Sequence, residues 1–434
     1  MSGPSGRPAL GGAHGATTGA RLREGAPLAG WRQAALWRAI ALAERPWVAA
    51  VAALGVYAAF ALWHGDPRGV SPFPYYGYLA DAFLHGQASL RLPPPDIHDL
   101  SVVDGKLHLY WGPFPALLLV PFVALWGVGF SDVAFTVVLG ALDVALVAVL
   151  LRAAVAARWF RLDRVRRGAL VACFAFGSVH FTLAPFGRVW FTGQLVGFAA
   201  LGLAYLAAIR MPGATGALLA GLGLSAALAT RTHLILAGVW PAWALLSRAT
   251  GARGRAAVLA AGALPVLATV ALLGLYNHAR FGSVLESGLR FHRMGGAFVE
   301  DYTRHGLFSL HYLPRNVFYE LLTYPLVPGF ESLQGGGLFW MTPLFLAAFQ
   351  ARQGPPGSAR ALAVSILLTA IPIFLLMGTG YVQWGPRYTL DFTIPLILVT
   401  AMGLARWRPR SIAIASGLSF GIYLVGATYL ALYL

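Results

Sequence analysis

Residues 133–151, VAFTVVLGALDVALVAVLL, run directly into RAAVAARWFRLDRVRR at 152–167. The first stretch is almost wholly apolar over about the 20 residues a helix needs to cross a bilayer. The second carries Arg152, Arg158, Arg161, Arg164, Arg166 and Arg167 against Asp163, the basic excess of a cytoplasmic loop. The pattern recurs along the chain. Apolar runs at 46–63, 112–128, 133–151, 168–186, 190–209, 215–230, 234–246, 256–276, 336–350, 361–380, 389–405 and 411–434 are candidate spans. The pair 215–230 and 234–246, joined by Thr230-Arg231-Thr232-His233, reads as two tightly connected helices or one broken one.

Composition agrees with this reading. The 434 residues are 58% hydrophobic and 11% charged, against about 25% charged in ordinary soluble domains. The 51 Gly and 27 Pro do not signal disorder, because aromatics reach 13% and the apolar runs are long. The net charge of +16 would suggest nucleic acid if it formed one patch. Instead it is split into short clusters between spans, so no nucleic-acid partner is expected. Cys173 is the only cysteine, which excludes an internal disulfide and a cysteine zinc site. Lys106 is the only lysine. The chain reads as an all-α polytopic membrane protein with about 11–12 transmembrane helices.

Residues 1–45 are Gly/Ala-rich and basic, and read as a disordered cytoplasmic tail with an interfacial stretch at 31–42, followed by a transmembrane domain over 46–434. A cleaved signal peptide is not expected, because the first apolar run starts too late. Basic clusters at 1–45, 152–167, 248–255, 351–360 and 406–410 all belong in the cytoplasm under the positive-inside rule. An even number of spans lies between successive clusters except the first two, which enclose 46–63, 112–128 and 133–151. Either 112–128 dips in without crossing or 152–167 breaks the rule. Two long polar segments, 64–111 and 277–335, then fall on the outer side. They hold Asp66, Asp81, Asp96, Asp99 and Asp104, and Glu286, Glu300, Asp301, Glu320 and Glu331. Segments this long in a compact protein are functional or disordered, and their aromatics and histidines argue against disorder.

Within the first segment, Tyr76, Leu79, Ala80, Phe83 and Leu84 share one face of a short surface helix, with Asp81 on the opposite face. Asp81 there reads first as a solvated carboxylate. Asp104-Gly105 marks a turn. Asp99 and Lys106 stand on a proline-bounded loop before a span, where Asp99 would serve as a general base and Lys106 would hold a phosphate; the bland alternative is an ion pair pinning the loop. Arg387, opening a span, has Asp391 one helical turn on, so it reads equally as half of a capping pair and as a phosphate clamp. Arg188 and Arg231 would face a cavity or a partner, or equally snorkel to headgroups. Arg280 and Glu286 would line the same outer cavity. The many histidines fit no local metal site, although a divalent cation is left open.

Several of these stretches carry a family resemblance. They are Tyr78-Leu79-Ala80-Asp81-Ala82-Phe83-Leu84-His85-Gly86, His98-Asp99-Leu100, Asp104-Gly105-Lys106 and Trp111-Gly112-Pro113-Phe114-Pro115. Later come Tyr276-Asn277-His278-Ala279-Arg280-Phe281-Gly282-Ser283, Gly337-Leu338-Phe339-Trp340 with Thr342-Pro343, and Trp384-Gly385-Pro386-Arg387-Tyr388. In that order the chain resembles bacterial integral-membrane glycosyltransferases of the GT-C fold, in particular the dolichyl-phosphate-mannose-protein mannosyltransferase-like group. The resemblance implies a multi-pass protein of the cytoplasmic (inner) membrane whose active site faces outward. It would transfer a sugar from a polyprenyl-phosphate donor to a glycan, lipid or protein acceptor. A first-segment carboxylate would be the base, Lys106, Arg387 and Arg280 would hold the donor phosphate, and His98, Tyr110, Trp111 and Glu286 would contact sugar or acceptor. One departure stands out: many relatives carry an Asp-Glu pair where this chain has Pro72-Phe73. Asp99 is the first substitute, then Asp81, then Asp66. A transporter or lipid flippase would instead show repeated halves with broken helices, and a non-catalytic envelope-assembly protein would keep the fold without a usable base.

Overall fold

An apolar run in a bilayer becomes helical because only there does every backbone N–H and C=O find a partner within its own segment. The computed structural model describes residue 35 and residues 37–64, 67–323, 334–380 and 383–433. Most of the 1–45 tail, Asp66 and Glu331 lie outside the described residues. In chain order the elements are α1 (Pro46–His64), α2 (Tyr75–Leu84), β1 (Ser101–Val103), β2 (Lys106–His108), α3 (Phe114–Trp126), α4 (Asp132–Ala156), α5 (Arg164–Phe176), α6 (Val189–Arg210), α7 (Gly213–Leu228) and α8 (Val239–Leu246). They continue with α9 (Gly251–Phe281), α10 (Gly296–His305), α11 (Leu313–Val317), α12 (Leu338–Met341), α13 (Ser358–Leu375), α14 (Thr393–Leu404) and α15 (Pro409–Tyr433). Among the described residues six helices, α1, α4, α6, α9, α13 and α15, are each long and apolar enough to cross a membrane. The chain is a multi-pass membrane protein.

Of the remaining candidate spans, 215–230 is the single short helix α7, and others are built from pieces. Run 234–246 is the 3-10 turn Thr232–Gly238 feeding α8, separate from α7. Run 389–405 is the 3-10 turn Arg387–Phe392 feeding α14, every residue of which is buried. Broken helices survive because neighbours satisfy and cover them. The 3-10 turn Pro343–Gln350 lies so close to α14 that a Cβ on Gly403 would sit 1.8 Å from the Ala347 carbonyl oxygen.

The ends of α4 define the two ends of the molecule, roughly 37 Å apart at 1.5 Å per residue. At one end Asp132 accepts hydrogen bonds from Ser71 N (2.7 Å) and Oγ (2.6 Å), which places the first polar segment there. At the other end lie Arg158 and the 152–167 basic cluster. This settles the 112–128 alternative. Helix α3 starts with Phe114 N donating to the Ala229 carbonyl, and just beyond its end Ser131 Oγ donates to the Pro67 carbonyl. Both anchors belong to the polar-segment end. With only 13 residues and both anchors at that end, α3 does not cross, and the first two basic clusters fall on the same side, where Glu44 pairs with Arg167.

The end of the tail that is described, residues 37–45, is docked rather than loose. Residues 37–42 are helical, and the buried Glu44 pairs with Arg167 at the start of α5. A carboxylate this buried is held by its ion pair.

Candidate active site at the seam between the polar segments

Asp104-Gly105 closes the β1–β2 hairpin, with φ of 49° and 73° at the two positions. Positive φ at both central residues is the type I′ geometry that matches strand twist. The hairpin pairs Ser101 with His108 and Val103 with Lys106. The second polar segment adds along its edge: Ser101 bridges His292, Asp99 N donates to the Arg293 carbonyl at 3.0 Å, and Arg293 N to the Leu100 carbonyl at 2.9 Å. The Ser101 hydroxyl closes the seam on the Gly288 carbonyl at 2.7 Å. Two segments far apart in sequence thus share one line of backbone hydrogen bonds.

Asp99 sits at the end of that line. Its φ of 63° is a left-handed conformation that non-glycine residues seldom adopt, and such strain persists only where the surroundings over-determine it. Its Oδ2 accepts from Trp190 Nε1 at 3.1 Å. Its Oδ1 lies 3.4 Å from His98 Nε2 and 3.3 Å from His292 Nε2. The carboxylate keeps 18% of its surface exposed, so it is aimed and still reachable. Aromatic rings wall it. Tyr110 stacks on Trp111 at 4.0 Å and lies 5.0 Å from the His292 ring, while Phe73 packs on Trp190 at 4.8 Å. Burial, with the Asp99 charge behind it, pushes the Tyr110 phenol well above its ordinary range.

Trp190 stands in the first turn of α6, and Gln194, one turn further along the same face, leads to the next charge. Gln194 Nε2 donates to the Arg387 carbonyl at 2.7 Å, and Arg387 Nη1 reaches Gln194 Oε1 at 3.3 Å. Arg387 is buried, donates to the Gly380 carbonyl at 2.8 Å and lies over the Tyr388 ring at 4.6 Å. The capping pair with Asp391 is not formed. Asp391 Oδ2 instead accepts from Arg231 Nη2 at 2.8 Å and His233 Nε2 at 2.7 Å. That also corrects the snorkelling role for Arg231, whose guanidinium is held inward by a buried acid. Among the described residues Arg387 has no carboxylate within salt-bridge distance. Glu320, in the turn Phe318–Leu322, is the other acid whose field reaches it, but burial pushes that carboxyl well above its ordinary range and favours the uncharged form.

The remaining sequence candidates are placed elsewhere. Asp81 is buried rather than solvated, in a two-pronged pair with Arg91 (Nε–Oδ2 2.9 Å, Nη2–Oδ1 3.0 Å). Lys106 is exposed at the hairpin tip and makes no ion pair with Asp99. Val103 at the tip is four positions along the chain from Asp99, a reach of up to roughly 13 Å at about 3.3 Å per residue. Arg280 is buried and donates to the Leu109 carbonyl (2.6 Å) and Asn277 Oδ1 (2.8 Å), bracing the backbone before Tyr110. Glu286 Oε1 accepts from Gly288 N at 2.8 Å and its Oε2 pairs with Arg290 Nε at 2.7 Å. Arg188 is buried, with φ 70° just before α6. The structure therefore gathers Asp99, His98, Tyr110 and Trp111, with Arg387 bonded to Gln194, one turn of α6 from Trp190. Sequence reading missed Trp190, His292, Gln194 and His233, because nothing in their spacing announces that α6 and the second segment converge on Asp99. No group of three His, Cys, Asp or Glu side chains able to hold a metal occurs among the described residues.

No family model matches the chain, and no curated protein matches it. Solved structures do. ArnT from Cupriavidus metallidurans bound to undecaprenyl phosphate superposes with a TM-score of 0.51 at 18% identity, over 92% of this chain and 63% of that one. The Archaeoglobus fulgidus oligosaccharyltransferase in its apo form gives a TM-score of 0.48 at 13% identity, over 88% of this chain and 56% of its own. This chain thus spans less than two thirds of the length of either protein.

Proposed function

The chain has the GT-C fold, and on that premise we propose that it is a glycosyltransferase acting on a polyprenyl-phosphate-linked sugar, with Asp99 as general base towards the acceptor hydroxyl. The observation that carries the reading is the pairing of unlike charges on one face of α6. A reachable carboxylate is bonded to Trp190, and a buried arginine without a carboxylate partner among the described residues is bonded to Gln194. A base needs access and a fixed direction. A lipid-linked phosphate needs a cation that no protein acid has already neutralised, and Arg suits it through its forked donors. Tyr110, Trp111 and His98 would flank the sugar or acceptor. The polar end would face outward, because the basic clusters gather at the opposite end, which suits the cytoplasmic membrane. Asp81, Lys106, Arg280 and Glu286 would act through the framework rather than on the substrate.

The test uses the purified full chain in vesicles with a panel of polyprenyl-phosphate sugars and candidate acceptors. Wild type should transfer sugar, and Asp99→Asn should remove transfer while leaving thermal unfolding unchanged. Full activity in Asp99→Asn removes Asp99 from the reaction. Uptake of a labelled solute with no transfer at all replaces the enzyme reading with a transporter.

A further inference from the structure

At the far end of α4 from Asp99, the surface holds an open hollow of about 960 Å3. Arg158, Arg161 and Arg166 line it, with Asp163 as the one acid, Trp159 as an apolar wall and Gln353 on the rim. The basic cluster 152–167 thereby meets chain from 351–360, and Arg166 Nη2 donates to the Trp407 carbonyl at 2.9 Å, drawing in 406–410. The three lining arginines all come from 152–167, and Gln353, Gly354 and Ala405 complete the wall of the hollow. Its size falls within the range of about 300–1,000 Å3 typical of ligand sites.

The balance of partners shows what the hollow lacks. Asp163 is used locally: it accepts from Arg166 N at 2.9 Å as the cap of α5 and pairs with the Arg166 guanidinium. Arg166 Nε is buried without an acceptor. The side chains of Arg158 and Arg161 find no acceptor among the described residues. The wall that presents them is built firmly. The Gln353 amide accepts from Arg161 N at 2.9 Å and donates to the Arg161 carbonyl at 3.3 Å. A Cβ on Gly354 would lie 3.0 Å from the Trp159 carbonyl oxygen. Arg158 itself holds a left-handed φ of 61° where α4 ends, a position that usually falls to glycine. Arg158 and Arg161 are exposed, and guanidinium groups gathered at one hollow with no free acid suit an anion, Arg matching phosphate geometry.

We propose that this hollow binds a phosphate-bearing anion between Arg158 and Arg161, supplied either by an anionic phospholipid headgroup or by soluble phosphate. The site is independent of the sugar-transfer reading. Basic hollows between transmembrane helices are built to receive headgroups, and each Arg contributes roughly a fivefold gain in affinity.

The experiment is native mass spectrometry of the full chain titrated with phosphatidylglycerol, phosphatidylcholine or inorganic phosphate. Phosphatidylglycerol should be retained over phosphatidylcholine, and the double variant Arg158→Gln/Arg161→Gln should lose about 25-fold of that affinity. Arg158→Lys/Arg161→Lys should keep most of it, and Arg253→Gln, an exposed basic residue away from the hollow, should match wild type. Retained phosphatidylglycerol that inorganic phosphate does not displace identifies the lipid source, whereas phosphate binding without lipid preference identifies the soluble one. Equal retention of both lipids with no phosphate binding overturns the proposal. So does a folded glutamine double variant that binds as tightly as wild type.

Discussion

Asp81 and Asp99 belong to the same polar segment and meet opposite fates. Asp81 is buried against Arg91 with both oxygens engaged, whereas Asp99 is steered by one indole N–H and two imidazoles and stays partly open. Arg231 and Arg387 repeat the contrast with the sign reversed. Arg231 is neutralised by Asp391, while Arg387 rests on carbonyl and amide oxygens. In both pairs burial alone does not separate structure from chemistry. What separates them is whether the protein supplies the counter-charge itself or leaves it to a ligand.

The largest expected effect breaks the carboxylate comparison. Asp99→Asn should cut sugar transfer by about 10²–10⁴-fold, the usual worth of a general base, with unfolding unchanged. Asp81→Asn should do the reverse, lowering the unfolding temperature while the folded fraction keeps its turnover. Loss of transfer in both folded variants would erase the distinction. The arginines come next. Arg387→Gln should weaken donor use, read as kcat/KM, by about 10–100-fold, the loss of a charge-assisted hydrogen bond. Arg231→Gln should instead destabilise the protein by about 3 kcal/mol, because Asp391 is left buried with only His233. Thermal unfolding beside donor titration separates the two.

Two smaller effects sharpen the picture of how Asp99 is held. Trp190→Phe removes the indole donor and keeps the ring, so transfer should fall about 10-fold with KM for the acceptor nearly constant. The framework should also respond to pH through His108, on β2. Burial, reinforced by Arg280, holds its imidazole below the ordinary 6.5. Above about 6.5 both folded and unfolded chains leave it neutral. Below that, the unfolded chain takes up a proton that the folded one resists, so stability falls as pH drops from about 7 to about 5. His108→Gln should flatten that slope in thermal unfolding scans, and an unchanged slope would exclude His108 as its source.

Much of this was legible beforehand. The apolar runs, the basic clusters and the Asp104-Gly105 turn are local signals, and each appears where the sequence put it. Asp99 stood out for a local reason too, as an acid on a proline-bounded loop before a membrane segment. The partners did not. Asp391 lies one helical turn from Arg387 in sequence, yet Arg231 and His233 take it, because contact across packed helices outcompetes spacing along one. Lys106 was attractive for its nearness in sequence to Asp99, and a two-residue hairpin turn carries it to the opposite end of the strand.

The sequence by itself determined that this chain crosses the membrane many times with two acid-bearing segments set apart from its basic clusters, since hydropathy and charge act residue by residue against lipid and water. Only the tertiary structure decided that α3 stays at the polar end, that α6 lines up Trp190 beneath Asp99 and Gln194 beneath Arg387, and that three arginines of 152–167 gather at one hollow. Those are facts of distance between remote segments, and distance is fixed when helices pack.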